Sequence, residues 1–174
     1  MPDSQQPQKG IDMMVNFFEK RKNLRVLDIG AGMGKWSSLI RGNTQSIHAV
    51  EAHAPYIEKF SLRSLYDKVY NQDIRFFNYE EEYDVAILGD VLEHLEYEDA
   101  LETISVLKNK IPCILLTIPI TICIQDGSVY GNEYETHRYQ WSDKEIQQVL
   151  GFKLINVGSN DNGLVGIGTY LWNR

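Results

Sequence analysis

Much of what would give a chain an obvious function is absent from these 174 residues. There are two cysteines, Cys113 and Cys123. Both fall in or near one apolar, strand-like segment and no CxxC pair exists, so buried thiols are expected rather than a disulfide or a cysteine-ligated zinc site. No apolar run approaches the roughly 18 residues needed to cross a bilayer. The opening Met1-Pro2-Asp3-Ser4-Gln5-Gln6 is polar and unlike a signal peptide, which leads to the expectation of a cytoplasmic protein. Positive charge is also short, with 17 Lys and Arg against 24 Asp and Glu and a formal net charge of -7. That balance disfavours passive adhesion to nucleic acid or an anionic membrane. What is present, 43% hydrophobic and 24% charged residues, is ordinary for a globular chain. The length suits one domain over 1–174, with the first ten residues a polar, Gln-rich frayed end.

The most informative stretch is Val26-Leu27-Asp28-Ile29-Gly30-Ala31-Gly32-Met33-Gly34. Its apolar half is β-rich and too short for a helix, and its three glycines let the backbone turn tightly and meet a ligand at the start of a helix near Lys35. A phosphate-cradling P-loop needs a glycine five positions before Gly-Lys and a Ser or Thr after it, and Ile29 and Trp36 hold those places. A dinucleotide fingerprint wants its third glycine three positions after the second, where this chain has Lys35. The nicotinamide reading is weakened and stays open.

Along the chain, Ile11, Met14, Val15 and Phe18 give a one-faced helix over 11–20. A short helix over 35–41 stops at Gly42-Asn43, and a second strand over 46–51 ends at Glu51. An acid roughly 20 residues past a glycine loop is placed to accept hydrogen bonds from both ribose hydroxyls of an adenosine. Pro55 opens a helix over 56–66, and strands follow over 68–74, 83–91 and 111–119, with a helix over 97–110 between the last two. This alternation predicts a parallel sheet with helices on both faces, in which ligands bind at the carboxyl ends of the strands. The 120–140 connection is long enough to be functional and is assigned to acceptor recognition. Ser142 and Glu145 predict a capping box for a helix over 143–150 that stops at Gly151. Strands over 152–158 and 164–172, joined by an Asn-Gly-containing turn, predict a terminal hairpin.

Together, Asp28-x-Gly30-x-Gly32-x-Gly34, Val50-Glu51, Gln72-Asp73-Ile74 and Gly89-Asp90-Val91-Leu92-Glu93-His94-Leu95 resemble the class I S-adenosylmethionine (SAM) methyltransferases. The "VLEHL" run is common in their small-molecule members. The resemblance implies an α/β fold: a Rossmann-like seven-stranded, mostly parallel sheet with a C-terminal antiparallel β-hairpin and helices on both faces. It implies SAM as cofactor, bound by Asp28, Gly30, Ala31, Gly32, Gly34, Glu51, Ala52, Asp73, Ile74, Asp90 and Val91. In this pattern Asp73 takes the adenine amino group and the Ile74 amide meets a ring nitrogen, and in such enzymes a helix at 11–20 often touches the cofactor. No Asp/Asn-Pro-Pro-Tyr follows the fourth strand, so base methylation is disfavoured.

Methyl transfer from a sulfonium needs alignment more than acid–base power, which leaves His94 and His137 as candidate bases. The Asp90-x-x-Glu93-His94 run and the distant His137 also look like the metal-dependent RNA 2'-O-methyltransferases, with Asp90 where that family has Glu. This implies that Asp90, Glu93, His94 and His137 hold Mg²⁺ or Mn²⁺. Those readings converge on O-methylation of a small-molecule or sugar-like acceptor. A metal-assisted RNA-type enzyme and a SAM-binding protein without catalysis are the alternatives.

Overall fold

The structure, a computed structural model, describes residues 7–160 and 163–174. The centre of its sheet is β1 (Leu24–Ile29), whose last four residues are buried on both faces. On one side β1 runs parallel to β2 (Thr44–Val50), which pairs with β3 (Lys68–Tyr70). On the other it runs parallel to β4 (Val85–Gly89), which pairs with β5 (Cys113–Pro119). The C-terminal hairpin of β6 (Lys153–Ser159) and β7 (Gly166–Asn173) adds antiparallel to β5 through β7, giving the order β3-β2-β1-β4-β5-β7-β6. The strand order reverses direction between β1 and β4, and a crevice opens there above the strand ends. The expected seven-stranded, mostly parallel sheet with its antiparallel hairpin is present.

Successive residues of the central strands point to opposite faces, so each face needs its own cover. Val26, Ile47, Val85, Ile87 and Leu115 pack with Met14 and Phe18 of α1 (Gln8–Lys20), Trp36 and Ile40 of α2 (Lys35–Ile40) and Ile57 of α3 (Ala54–Lys59). Leu27, Ile29, Ala86, Leu88 and Leu116 pack instead with Ala100, Ile104 and Leu107 of α5 (Tyr97–Lys110) and Ile146 of α6 (Asp143–Gln148). A fourth helix, α4 (Leu62–Leu65), follows α3. Among the described residues no helix is long and apolar enough to cross a membrane. Cys113 and Cys123 are free thiols and only partly buried, because the first sits at the start of β5 and the second past its end.

Strand ends shift by one or two residues from expectation, as where β4 is Val85–Gly89 and not 83–91 and β5 starts at Cys113 and not 111. Four larger or helical differences stand out. Helix α1 begins at Gln8, so part of the expected frayed end is helical; residues 1–6 lie outside the described residues, as do residues 161 and 162 of the hairpin turn. The single helix over 56–66 is two, broken where Ser61 takes a left-handed φ of 51°. Ile57 and Leu62 are both buried, yet five residues at about 100° each put them on different faces of one helix. The break lets both reach the core. The third strand stops at Tyr70 rather than 74, because the Asn71 side chain turns back to the carbonyls of Glu51 and Ala52 (2.8 and 3.0 Å). A 3-10 turn at Ile74–Phe76 follows, capped by Asp73. Helix α6 is two residues shorter than expected, with its capping box as predicted.

Candidate active site

The crevice holds a cavity of about 340 Å³. Its floor is the glycine loop. Gly30 (φ 69°) donates its N–H to the Val50 carbonyl at 2.8 Å, and a Cβ there would sit 2.6 Å from the Val91 side chain. Gly32 donates its N–H to Glu51 Oε2 at 2.9 Å, while the His53 N–H reaches Oε1 at 2.8 Å. Burial pushes the Glu51 carboxyl above its ordinary range, and these two amides pull it back. Each oxygen keeps a lone pair for a further donor.

Farther along the strand ends, Asp73 and Ile74 form one wall. Arg75 grips the Asp73 carboxylate (2.6 Å to Oδ2) and reaches Asp99 at 2.8 Å, and the Arg75 contacts, outweighing burial, hold Asp73 below its usual range. Asp90 and Val91 line the cavity past β4; Asp90 has a left-handed φ of 56° and donates its N–H to Thr117 O at 2.9 Å. A non-glycine residue in that conformation is strained, and such positions cluster at functional sites.

The far end is built from Glu93, His94 and His137. The backbone carbonyl of Glu93 accepts from the amides of Arg138 (2.7 Å) and Tyr139 (3.2 Å), tying the turn Leu92–His94 to the connection before α6. Trp141, fully buried, donates its indole N–H to the Leu92 carbonyl at 3.3 Å. The two imidazole rings meet edge to face with centroids 4.9 Å apart. Nδ1 of His94 faces the Thr136 carbonyl (3.2 Å) and Nδ1 of His137 faces the Cys123 carbonyl (2.5 Å). A carbonyl can only accept, so each Nδ1 carries the proton and each Nε2 keeps its lone pair. Burial lowers both rings, His94 to about 4. Glu93 is 2% exposed and neither carboxylate oxygen has a hydrogen-bond partner, and burial with the nearby Asp90 charge raises it well above its ordinary value. One ligand atom from each of Glu93, His94 and His137 lies within 4.8 Å of the others.

Most of the expected residues thus share one cavity: Gly30, Ala31, Gly32, Glu51, Ala52, Asp73, Ile74, Asp90, Val91, Glu93, His94 and His137. Two do not line it. Asp28 is 1% exposed beneath the loop, where it accepts the Tyr66 hydroxyl at 2.5 Å and burial pushes it up to about 7. Gly34 (φ 80°) packs against Leu65, Leu62 and Tyr66, so its missing Cβ serves the contact with α4 and not a ligand. Asp90 lines the cavity but, among the described residues, falls outside the Glu93–His94–His137 cluster, so three residues meet where four were expected. No residue of α1 lines the cavity, because that helix packs over the β6 side of the sheet. The sequence reading missed Tyr56, Gln125, Asn132 and Glu135, which also line it. For Gln125, Asn132 and Glu135 the only signal was the length and polarity of the 120–140 connection; Tyr56, on α3, had none.

A methyltransferase-domain family model matches residues 5–114. Among solved structures, the magnesium protoporphyrin IX methyltransferase of Synechocystis PCC 6803, with SAM bound, superposes with a TM-score of 0.70 at 19% identity over 96% of this chain and 79% of its own. The N-methyltransferase NodS of Bradyrhizobium japonicum WM9, with S-adenosylhomocysteine (SAH), gives 0.73 at 11% identity over 99% and 88%. The small RNA methyltransferase HEN1 gives 0.71 at 14% identity over 96% of this chain but 25% of that one. At these identities the likeness is one of fold. No curated protein matches the chain.

Proposed function

Because the chain belongs to the methyltransferase-domain family, we propose that it transfers the methyl group of SAM to a hydroxyl of a small-molecule or sugar-like acceptor. One observation carries this reading: segments far apart in sequence, the glycine loop, Glu51, Asp73-Ile74 and Asp90-Val91, converge on one cavity whose far end holds two neutral imidazoles and a buried carboxylate. Glu51 would take the ribose hydroxyls on its remaining lone pairs. Asp73 and the Ile74 amide would take the adenine edge. The glycine loop, with no side chain in the way, admits the methionine portion. This leaves the methyl group aimed at the Glu93–His94–His137 end, where the acceptor oxygen must approach in line with the C–S bond. Holding that line and excluding water supplies most of what such a transfer needs.

His94, lowered to about 4, takes a proton from an ordinary hydroxyl poorly, and burial lowers His137 as well. His94 and His137 are therefore better suited to orient the acceptor or to hold a cation that acidifies it. Glu93, His94 and His137 fit Mg²⁺ or Mn²⁺: two Nε2 lone pairs, each set by a carbonyl behind the ring, and a buried carboxylate with no hydrogen bond form a mixed nitrogen and oxygen donor set. Such an ion would polarise the acceptor hydroxyl and lower its pKa. This is the second reading, and the orphaned Glu93 carboxylate favours it.

Calorimetric titration with SAH, repeated with Mn²⁺ and with EDTA, tests both. Micromolar binding that is lost in a folded Glu51→Ala variant supports the cofactor assignment, and a heat of Mn²⁺ binding lost in His137→Ala supports the metal. A folded protein that takes up no SAH overturns the reading and turns attention to nicotinamide cofactors.

A further inference from the structure

The charge around the cavity is lopsided. Five acidic side chains line it, Glu51, Asp73, Asp90, Glu135 and a Glu93 that burial holds toward its protonated form, against the two cations Lys35 and Arg75. Arg75 answers Asp73, and backbone amides answer Glu51. Glu135 differs from the rest in where it comes from. It ends the 3-10 turn Glu133–Glu135 in the connection between β5 and α6, which lines the cavity together with the glycine loop. Gln125 Nε2 pins this turn, donating to the Glu135 carbonyl at 2.7 Å and to Oε2 at 3.2 Å, and the Asn132 side chain accepts from the Tyr134 amide at 3.0 Å. The charge of Glu135 is felt at Glu51 and Tyr56 at the ribose end, and at Glu93 and His137 at the acceptor end. Glu135 thus lines the same cavity as both ends and is near enough for its charge to act on each.

On the cofactor reading the sulfur would lie between these two ends, and it changes charge in the reaction. A lone pair of the acceptor oxygen forms the new O–C bond as the C–S bond breaks. The C–S electron pair stays on sulfur, and the hydroxyl proton leaves to water. SAM, with a sulfonium, an ammonium and a carboxylate, is a net cation; SAH, a thioether with the same two end groups, is neutral. Opposite charges in a partly enclosed site attract far more strongly than in bulk water. Building on the cofactor reading above, we propose that Glu135 is a specificity-determining residue that makes the site favour the cationic cofactor over its neutral product. When the methyl group leaves, the sulfur loses the positive charge that the Glu135 carboxylate attracts, which weakens retention of SAH and limits product inhibition.

The test compares three ligands by calorimetry in EDTA: SAM, SAH and sinefungin, which carries an ammonium in place of the sulfonium. The wild-type protein should bind SAM and sinefungin more tightly than SAH. Glu135→Gln should weaken SAM and sinefungin by about five- to tenfold and leave SAH within about twofold, by analogy with one charge pair at intermediate dielectric. Glu135→Asp should retain most of the preference, and Glu133→Gln, on the exposed side of the same turn, should leave it unchanged. If Glu135→Gln weakens all three ligands equally, its role is structural and the proposal fails; it also fails if the SAM-to-SAH ratio does not move. Absence of binding by all three ligands to the wild-type protein would overturn the cofactor reading itself, and this proposal with it.

Discussion

Tyr66 and Asp28 meet under the glycine loop, and their pairing makes the motif's acid a supporting group. Burial holds the Asp28 carboxyl near 7, against an ordinary 3.8, while the Tyr66 hydrogen bond pulls the other way. The folded chain therefore keeps a proton that the unfolded chain gives up. This contribution to stability is fully present below about pH 4 and is lost as pH rises to about 7. Three units at 1.36 kcal/mol each bound it at about 4 kcal/mol. Glu93 acts in the same direction and His94 in the opposite one, so the informative quantity is a difference between variants. Asp28→Asn should gain stability relative to the wild type between pH 5 and pH 8, measured by denaturant unfolding at each pH; a difference that stays flat would return Asp28 to an ordinary pKa. Glu93 makes a parallel case. A buried carboxylate with no hydrogen bond costs roughly 1–3 kcal/mol or more, so Glu93→Gln should raise the unliganded melting temperature at pH 8 and lose any Mn²⁺ binding. Unchanged melting together with retained Mn²⁺ binding would refute both halves. Spacing singled out Glu51, and the family resemblance pointed to Asp73 and Glu93; all three line the cavity. Neither signal could reveal that Asp28 and Gly34 face away from the cavity, because that depends on where α4 packs.

Between helix α1 and the hairpin, two local rules give opposite signs. Gly10 lies in the first turns of α1, and a helical glycine replaced by alanine ordinarily gains about 0.5–1 kcal/mol. Here a Cβ would sit 2.5 Å from Thr169 Oγ1 and 3.5 Å from Asn156 Nδ2. Thr169 is fully buried and β-branched, so it has little room to turn away. Overpacking of this kind typically costs 1–3 kcal/mol, and it should win. Gly10→Ala is expected to lower stability by about 1 kcal/mol or more in thermal unfolding, with SAH affinity unchanged because α1 does not line the cavity. A stabilised variant would mean that α1 shifts freely on the hairpin. Elements whose own residues determine them were legible: α5 at Tyr97–Lys110, and the Ser142–Glu145 capping box, where each partner satisfies the other's amide. The break at Ser61 was not, because the pattern Ile57, Phe60, Leu62, Leu65 looks helical until the sheet demands that Ile57 and Leu62 be buried together. The early end of β3 likewise depends on Asn71 finding carbonyls of Glu51 and Ala52 twenty residues back.

Across the whole molecule, the cavity joins parts with few other reasons to stay together. The glycine loop follows β1, Glu51 follows β2, Asp90 follows β4, and Asn132, Glu135 and His137 come from the connection after β5. The strand ends were readable because a parallel α/β sheet must place them side by side. The roof was not, since a connection of irregular backbone has no periodicity to read, and its course depends on single contacts such as Thr136 Oγ1 accepting from the Gly127 amide at 2.9 Å. A ligand that fills this cavity touches both halves of the sheet and the roof, and it binds the folded chain alone. Ligand present at a hundred times its Kd adds about 2.7 kcal/mol. For a chain of 174 residues each kcal/mol raises the melting temperature by about 2–4 °C. SAH should therefore raise the melting temperature by roughly 5–10 °C in a fluorescence-monitored melt. Glu51→Ala should melt within a few degrees of the wild type without ligand and show no rise with it. If the variant keeps the full rise, the ribose is held elsewhere. If its unliganded melt falls by more than the ligand effect, the Gly32–Glu51–His53 contacts matter more to holding the loop closed than to holding a cofactor.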